Sequence, residues 1–478
     1  MNAEKFEAVI GLEIHVQLAT NTKMFCGCRL EFGAEPNTLT CPVCLGHPGA
    51  LPAANEQAVR FAIAAGLALG CEIAPRSMFH RKNYFYPDLP KGYQISQFDV
   101  PICADGELAG VRIHRAHMEE DAAKLIHVGE SGRIHGAGRS VVDYNRGGTP
   151  LVEIVTEPDI RSGAQAREWL QLLRATVKQL GISDVNMEEG SLRCDANISI
   201  RPVGQGELGT KTELKNMNSF RFIERGIDAE IARQTALLEA GGEIIQETLH
   251  FDPASGSLTS LRSKEESHDY RYFPEPDLPP VAPSSELIEQ IRAALPELPL
   301  QKAARYEQQL ALPADTARLL AFKAELGAYY EAALGTVGGL DPKRLADWVT
   351  GELIGRIGAD ADPAASKVAP AAIASLVQLV AEKKITGAGA KIVLDKLVED
   401  GGDPAEIVES EGLAAIGDGD QLKRIVEAAL EANPRAVADL RSGKDKAIGA
   451  IIGFVMKQTQ GRADGGEITR IVREQLDL

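Results

Sequence analysis

The chain has 478 residues, of which 44% are hydrophobic and 25% charged, and its formal net charge at pH 7 is −17. This length allows two to four domains with sizeable cores, and the composition is ordinary for a globular protein. The negative charge argues against a general nucleic-acid binder, and no apolar run reaches the roughly 18 residues of a membrane span. Because the polar N-terminus does not resemble a signal peptide, we expect a cytoplasmic location without a membrane partner.

The first predicted element is a strand over residues 9–18, in which apolar and polar side chains alternate. Glu13 and His15 share its polar face, and ligands two positions apart on a strand reach the same metal ion. A pair of exposed polar residues produces the same pattern. The strand by itself therefore leaves a metal site and an ordinary surface as alternatives.

Four of the seven cysteines fall within nineteen positions, as Cys26, Cys28, Cys41 and Cys44. In a reducing compartment, clustered cysteine pairs are more often metal ligands than disulfides. Two close pairs joined by a loop suit the tetrahedral thiolate cage of structural zinc. The first pair is Cys-x-Cys rather than the commoner Cys-x-x-Cys, which makes the pattern less specific. We predict a structural Zn²⁺ site.

Three helices are predicted in the first 270 residues, and the first two begin after residues that suit an N-cap. They follow Asn55, Ser162 and Ser219, and Ser162 with Gln165 forms a capping box. Five prolines then crowd residues 274–283, which neither a helix nor a central strand tolerates. Beyond them the pattern is helical nearly throughout. The chain is therefore predicted to be α/β or α+β first and all-α afterwards.

Carboxylates occur at two unusual places. Glu153 interrupts an apolar run, and a buried carboxylate must meet a cation or a hydrogen-bond donor to offset its desolvation. Glu120 belongs to the acidic segment HMEED at residues 117–121, which a solvated loop would explain equally well. Together with Glu13 and His15, these residues supply enough ligands for Mg²⁺, which prefers carboxylates, water and phosphates.

Residues 192–200 alternate as a second strand, and its polar face carries Arg193, Asp195, Asn197 and Ser199. A guanidinium, a carboxylate, an amide and a hydroxyl in a row suit phosphates and a cation. An ordinary half-exposed strand is the alternative, and the pattern does not decide between them.

Further basic residues lie near glycines or on strands. Arg146 precedes a Gly pair, which lets backbone N–H groups approach an anion, and Lys211 and Lys215 share one face of a predicted strand. The sequence contains no P-loop, no dinucleotide-binding fingerprint and no nucleophile elbow. Nucleotide chemistry would therefore need a less common scaffold.

Eight motifs in the first 280 residues resemble, in the same order, the B subunit of the aspartyl/glutamyl-tRNA amidotransferases. They are GLEIH (11–15), RKNYFYPD (81–88), GYQISQF (92–98), HMEED (117–121), GTPLVE (148–153), MEEGSLRCDAN (187–197), KTELKN (211–216) and DYRYFPEPD (269–277). GKDKAIG at 443–449 and MKQ at 456–458 resemble the tail domain of the same B subunit. In the helical middle, only the order of elements supports the resemblance.

The resemblance implies an α+β fold in three parts. A mixed-sheet, cradle-like catalytic domain with the Cys₄ zinc site would span residues 1–292. An all-α helical domain would span 293–402, and a small all-α tail domain that binds tRNA would span 403–478. Residues 441–473 carry seven basic against three acidic side chains, which runs against the net charge of the whole chain and fits a tRNA-binding tail.

The resemblance also implies a ligase. It would use ATP to phosphorylate Glu on Glu-tRNA(Gln), or Asp on Asp-tRNA(Asn), and then amidate the acyl phosphate with ammonia. The chemistry is reasonable because a carboxylate is a poor electrophile, whereas an acyl phosphate is a good one, and Mg²⁺ neutralises the charge that develops on transfer. The implied partners in a heterotrimer are an amidase (glutaminase) that releases the ammonia, known as the A subunit, and a small C subunit. The mischarged tRNA is the implied substrate.

Individual site residues follow from the matching motifs. Glu13, His15, Glu120 and Glu153 resemble the family's cation ligands, and Asp195 would be a fifth catalytic carboxylate or a second-site ligand. Candidates for phosphate or substrate-carboxylate contacts are Arg146, Arg193, Lys211 and Lys215. Two other functions remain as alternatives. One is a metal-dependent ligase or hydrolase acting on a small acid without tRNA, and the other is a non-catalytic tRNA-binding scaffold.

Overall fold

The computed structural model of the chain describes residues 5–128, 137–263, 270–358, 361–416, 419–459 and 461–477. It divides into two compact units, Met1–Leu298 and Pro299–Leu478. The described strands lie in the first unit, and the second unit is helical. Among the described residues, no helix is both long enough and apolar enough to cross a membrane.

The described part of the first unit forms fourteen strands. They are β1 (Phe6–Gln17), β2 (Glu72–Ile73), β3 (His80–Asn83), β4 (Tyr93–Ser96), β5 (Cys103–Leu108), β6 (Val111–Glu120), β7 (Lys124–Val128), β8 (Arg139–Asp143), β9 (Pro150–Thr156), β10 (Leu192–Pro202), β11 (Thr212–Met217), β12 (Glu247–Phe251), β13 (Leu258–Ser263) and β14 (Phe273–Pro274).

Nine of these strands make one mixed sheet in the order β13-β12-β11-β10-β1-β9-β6-β5-β2. Its pairs are antiparallel except for β11 and β12, which run parallel. A smaller sheet has the order β14-β3-β4, and β7 pairs with β8. The predicted strands at residues 9–18 and 192–200 are confirmed as β1 and β10.

The register of the central strands sets the position of the polar side chains. Ile10, Leu12, Ile14 and Val16 of β1 are buried in the core, so the intervening residues point to the opposite face. On β1, Glu13 lies opposite Asp195 of β10, and His15 lies between Arg193 of β10 and Glu153 of β9. On β6, His117 lies opposite Glu153. Polar residues of four strands therefore meet on one face of the sheet.

Four helices belong to the first unit: α1 (Glu56–Ala68), α2 (Gly163–Gln179), α3 (Phe220–Glu239) and α4 (Ser285–Ala293). The predicted N-caps Asn55 and Ser162 are confirmed, because their side chains accept hydrogen bonds from the first turns of α1 and α2. Ser219 caps α3 in the same way. The predicted capping box is only half formed. The side chain of Gln165 accepts a hydrogen bond from the backbone N–H of Arg161 and not from that of Ser162. This second bond of the capping box therefore lies one residue before the N-cap.

The second unit contains twelve helices in its described residues. They are α5 (Pro299–Leu310), α6 (Ala314–Phe322), α7 (Ala324–Leu334), α8 (Pro342–Asp347), α9 (Ile354–Ile357), α10 (Pro370–Ala381), α11 (Gly387–Asp400), α12 (Pro404–Ser410), α13 (Gly419–Ala432), α14 (Pro434–Arg441), α15 (Ile448–Gln458) and α16 (Gly465–Leu476). A π-helical segment spans Trp348–Leu353, and short 3₁₀ turns span Pro363–Ala365 and Asp445–Ala447.

These helices build two hydrophobic cores. The first runs from Ala303 to Leu413 and includes the stacked α10 and α11, on which α12 packs. The second runs from Leu422 to Val472 and joins α13, α14, α15 and α16. The mixed sheet followed by a helical unit agrees with the predicted α+β class. The domain limits at residues 292 and 402 remain predictions.

Candidate active site

Five acidic and imidazole side chains converge on the polar face of the sheet. Nε2 of His15 lies 3.4 Å from Oε2 of Glu153, 3.8 Å from Oε1 of Glu13 and 3.9 Å from Oε1 of Glu119. Nε2 of His117 lies 3.5 Å from Oε2 of Glu153 and 3.9 Å from Oε2 of Glu119. Glu153 therefore sits between two imidazoles. We refer to these five residues as the β1–β6–β9 cluster.

Burial and mutual charge perturb the acid–base properties of this cluster. Burial lowers the pKa of His15, but the hydrogen bond and charge of Glu153 outweigh it and raise that pKa to about 9. Burial also dominates at His117, whose pKa falls to about 4. Burial and the charge of Glu153 together raise the pKa of Glu119 to about 7. Burial opposes ionisation of Glu153 as well, but His117, His15 and Lys82 hold its pKa below the usual range.

The donor set of the cluster suits a divalent cation. Ligand atoms of Glu13, His15 and Glu153 lie within 4.8 Å of one another, and so do those of His117, Glu119 and Glu153. Carboxylate oxygens are the ligands that Mg²⁺ prefers, whereas imidazole is commoner with transition metals. Nδ1 of His117 is buried without a hydrogen-bond partner, so the side chains around it do not satisfy all the polar atoms of the cluster.

Three of the four predicted cation ligands come together, namely Glu13, His15 and Glu153, whereas Glu120 does not join them. Because side chains alternate along β6, Glu120 points to the other side of the strand from His117. Its carboxylate accepts a hydrogen bond from the backbone N–H of Ile95 at 2.9 Å and pairs with the ammonium of Lys91. Glu119, its neighbour, contacts the imidazoles instead.

Glu13, His15 and Glu119 of this cluster lie at the floor of a cleft of about 1210 Å³. Seventeen residues line it: Glu13, His15, Lys82, Asn83, Tyr84, Phe85, Tyr86, Leu89, Gln94, Glu119, Asp121, Ala122, Arg193, Lys215, Tyr270, Arg271 and Phe273. They come from the large sheet and the loop after β6, from β3 with the loop after it, from β4, and from β14 with the residues before it. The cleft is thus charged at its floor and aromatic at its wall.

Cations stand beside the carboxylates in this cleft. Nζ of Lys215 lies 2.6 Å from Oδ2 of Asp195 and 3.0 Å from Oε1 of Glu213. A guanidinium nitrogen of Arg193 lies 3.0 Å from Asp121, while its Nε is buried without a hydrogen-bond partner. Burial opposes the charge of Lys82, but Glu119 and the other nearby anions raise its pKa above the usual range. All three side chains therefore carry positive charge.

The remaining predicted contacts are placed differently. Arg146 donates to the carbonyl oxygens of Ala122 and Ala123, so it fixes the loop after β6 and does not line the cleft. Lys211 precedes β11, is exposed, and also lies outside the cleft lining. Of the β10 face, Ser199 is buried with its hydroxyl 3.5 Å from the carbonyl oxygen of Val9. Only the Arg193 and Asp195 end of that face reaches the cluster.

The four clustered cysteines meet as the sequence predicts. The Sγ atoms of Cys26, Cys28, Cys41 and Cys44 all lie within 4.8 Å of one another, and those of Cys41 and Cys44 are 3.9 Å apart. Tetrahedral zinc with bonds of about 2.3 Å holds its sulfurs roughly 3.8 Å apart. A hydrogen bond from the thiol of Cys26 lowers the pKa of Cys44 to about 4. The quartet fits a metal ion bound by thiolates.

Two family models match the chain. One is described as the GatB/GatE catalytic domain and matches residues 8–289, and the other is described as the GatB domain and matches residues 328–476. The chain belongs to the B-subunit family of the tRNA-dependent amidotransferases. The cleft and the cysteine quartet both lie within the part matched by the catalytic-domain model.

Relatives in this B-subunit family cover essentially the whole chain. The B subunit of the aspartyl/glutamyl-tRNA(Asn/Gln) amidotransferase of Brevibacillus brevis is 48% identical over 482 residues, which is 99% of both chains. The B subunit of Anaeromyxobacter dehalogenans is 48% identical over 487 residues and 100% of both chains. That of Persephonella marina is 48% identical over 481 residues, covering 99% of this chain and all of its own.

Sequence reasoning missed several residues that the structure brings into this family's cleft. Glu119 and His117 share a face of β6, so strand alternation starting from His117 would have identified Glu119 in place of Glu120. Lys82 stands in a basic and aromatic segment that carried no chemical pattern of its own. Only the tertiary structure brings Lys82, on β3, into the cleft.

Proposed function

We propose that the cleft is the site at which the acyl group of a mischarged tRNA is phosphorylated by ATP and then amidated. As a member of the B-subunit family, the chain is part of a tRNA-dependent amidotransferase, a carbon–nitrogen ligase that takes its amide nitrogen from glutamine. The acyl groups proposed are Glu on Glu-tRNA(Gln) and Asp on Asp-tRNA(Asn), as the names of the relatives suggest.

The reaction divides into two transfers. A carboxylate oxygen of the esterified Glu or Asp attacks the terminal phosphorus of ATP, the bond to the bridging oxygen breaks, and ADP leaves. Ammonia then attacks the acyl carbon, phosphate leaves with the bonding electrons, and the nitrogen loses a proton. The first transfer brings two anions together and the second releases a phosphate anion, so the site needs fixed positive groups and a divalent cation.

One observation carries this proposal, namely that anion-binding and cation-binding side chains face each other in a single cleft. Lys82, Arg193 and Lys215 offer positive charge to phosphates or to the substrate carboxylate. Glu13, His15, Glu119 and Glu153 would hold Mg²⁺, which, when bound, neutralises charge on the transferring phosphoryl group. Asp195 orients Lys215 through their 2.6 Å contact.

Other parts of the enzyme would support this reaction from outside the cleft. We propose that the cysteine quartet holds Zn²⁺ and stabilises the segment around residues 26–44. The amide nitrogen would arrive as ammonia released by an amidase partner, the A subunit, and a small C subunit would complete the enzyme. The basic side chains of residues 441–473 would contact tRNA.

ATP cleavage by the reconstituted complex tests the proposal. Glu-tRNA(Gln) should stimulate cleavage, and Glu13→Gln or Glu153→Gln should abolish that stimulation. Glu107→Gln, which changes an exposed carboxylate of β5, is the matched control and should behave like the unmodified complex. Cleavage that is indifferent to tRNA would favour a hydrolase acting on a small acid, and no cleavage would favour a scaffold. Amidation assays with both mischarged tRNAs identify the substrate.

A further inference from the structure

Three consecutive aromatic residues, Tyr84, Phe85 and Tyr86, line the cleft in the loop after β3. The rings of Tyr84 and Tyr86 stack on each other with centroids 6.4 Å apart and an angle of 20°. Phe85 is different, because 89% of it is exposed, more than of any other large hydrophobic residue in the described chain. A phenyl ring that lines a charged cleft and remains so exposed has a face available for another ring.

Phe85 lies against Gly92, its neighbour across the loop. A Cβ atom built on Gly92 would lie 3.1 Å from Cε1 and 3.2 Å from Cδ1 of Phe85, and Gly92 has a φ of +74°. Any side chain at residue 92 would therefore displace the ring. The edge of Phe85 packs against the bare backbone of Gly92, while the rest of the ring faces outward.

The charge around Phe85 indicates what kind of ligand the ring faces. Lys82 lies three residues earlier in the chain and lines the same cleft, and its ammonium stands near Glu119 and Glu153. A ligand held at both ends would be anionic where it meets Lys82 and planar where it meets Phe85.

We propose that Phe85 forms the base-binding subsite of this cleft and stacks on the adenine of ATP, whose triphosphate extends toward Lys82. The inference rests on the proposed function, which requires ATP at this site. Nucleobases stack on exposed aromatic rings because both surfaces are flat, polarisable and weakly hydrated.

Equilibrium binding to the reconstituted complex tests the subsite without requiring turnover. Phe85→Ala should weaken ATP binding by roughly 5- to 150-fold, the range found for losing one base–aromatic stack. Binding of inorganic tripolyphosphate, which has no base, should not change. Phe85→Trp should retain ATP binding, and ATP but not tripolyphosphate should quench its indole fluorescence. Phe32→Ala, at a phenylalanine that is 73% exposed outside the cleft, is the control.

Several outcomes would overturn the inference. Unchanged ATP affinity in Phe85→Ala, or an equal loss of tripolyphosphate binding, would show that Phe85 does not bind the base. If Phe85→Ala weakens only the binding of an RNA minihelix that ends in the tRNA acceptor sequence, Phe85 contacts the end of the tRNA instead of ATP. If Phe85→Ala weakens ATP binding but the unmodified complex never phosphorylates Glu-tRNA(Gln), the subsite stands and the proposed function fails.

Discussion

Replacing Glu119 with Gln removes one negative charge from the β1–β6–β9 cluster and preserves the size of the side chain. The carboxylate oxygens lie 3.9 Å from Nε2 of His15 and 3.9 Å from Nε2 of His117, so a cation held by these residues would also contact Glu119. Two unit charges about 4 Å apart interact by roughly 4 kcal/mol at an effective dielectric constant near 20, and a divalent cation doubles this energy. The substitution should therefore weaken binding of Mg²⁺ or Mn²⁺ by at least about three orders of magnitude.

Thermal unfolding of the full chain, with and without the cation, measures this effect. A cation present at about 100 times its dissociation constant stabilises a protein by roughly 2.7 kcal/mol, and Glu119→Gln should abolish nearly all of that gain. Without the cation, the variant should be at least as stable as the unmodified chain. The reason is that burial and Glu153 already raise the pKa of Glu119 to about 7, so a neutral amide relieves an unfavourable charge.

The adjacent residue supplies the control. Glu120→Gln leaves the ammonium of Lys91 buried without its counter-charge, which should lower the free energy of unfolding by about 3–5 kcal/mol. Its cation affinity should not change, because Glu120 faces the other side of β6. If Glu120→Gln weakens cation binding and Glu119→Gln does not, the ion lies on the opposite face of β6 and our assignment of ligands is refuted.

Three further predictions concern the zinc quartet, the cations and the tail. Cys44→Ser should reduce bound zinc, measured by metal analysis, and lower the midpoint of thermal unfolding; full zinc content in the variant would contradict a tetrathiolate site. Lys215→Met should reduce the rate of amidation at least tenfold. The affinity for Mg²⁺ should stay equal or rise, because Asp195 loses its positively charged partner. An unchanged rate of amidation would show that Lys215 does not take part in the reaction. Lys446→Glu combined with Lys457→Glu, both in the tail, should weaken tRNA binding and flatten its salt dependence, and equal affinity at every salt concentration would argue against a tRNA-binding tail.

Local patterns predicted much of the fold because the forces behind them are local. Alternation with a period of two identified β1 and β10, and short polar side chains before helical segments identified the N-caps of α1 and α2. Neither signal tells which strands become neighbours. β1 pairs with β9 and β10, which follow it by more than a hundred residues, and only tertiary packing decides that pairing.

Part of the site was also predictable from the sequence. Glu13, His15 and Glu153 stood out because polar ligands interrupt apolar strands, and the resemblance to a family joined them into one site. The resemblance pointed to Glu120, whereas the structure places Glu119 beside the imidazoles, and only the face of β6 distinguishes these two adjacent carboxylates. Arg146 looked like an anion contact because of its glycines, whereas its guanidinium is used by the carbonyl groups of Ala122 and Ala123.

The central place of β1 has a consequence for synthesis of the chain on the ribosome. Gly11 pairs with Asn197, so 186 residues separate the two partners along the chain. At roughly 5–20 residues per second, β10 emerges about 10–40 s after β1. During that interval β1, which carries the apolar residues Ile10, Leu12 and Ile14, has no native partner strand on the side where β10 will pair. Nascent β1 therefore keeps its apolar side chains without their native neighbours until β9 and β10 have been synthesised.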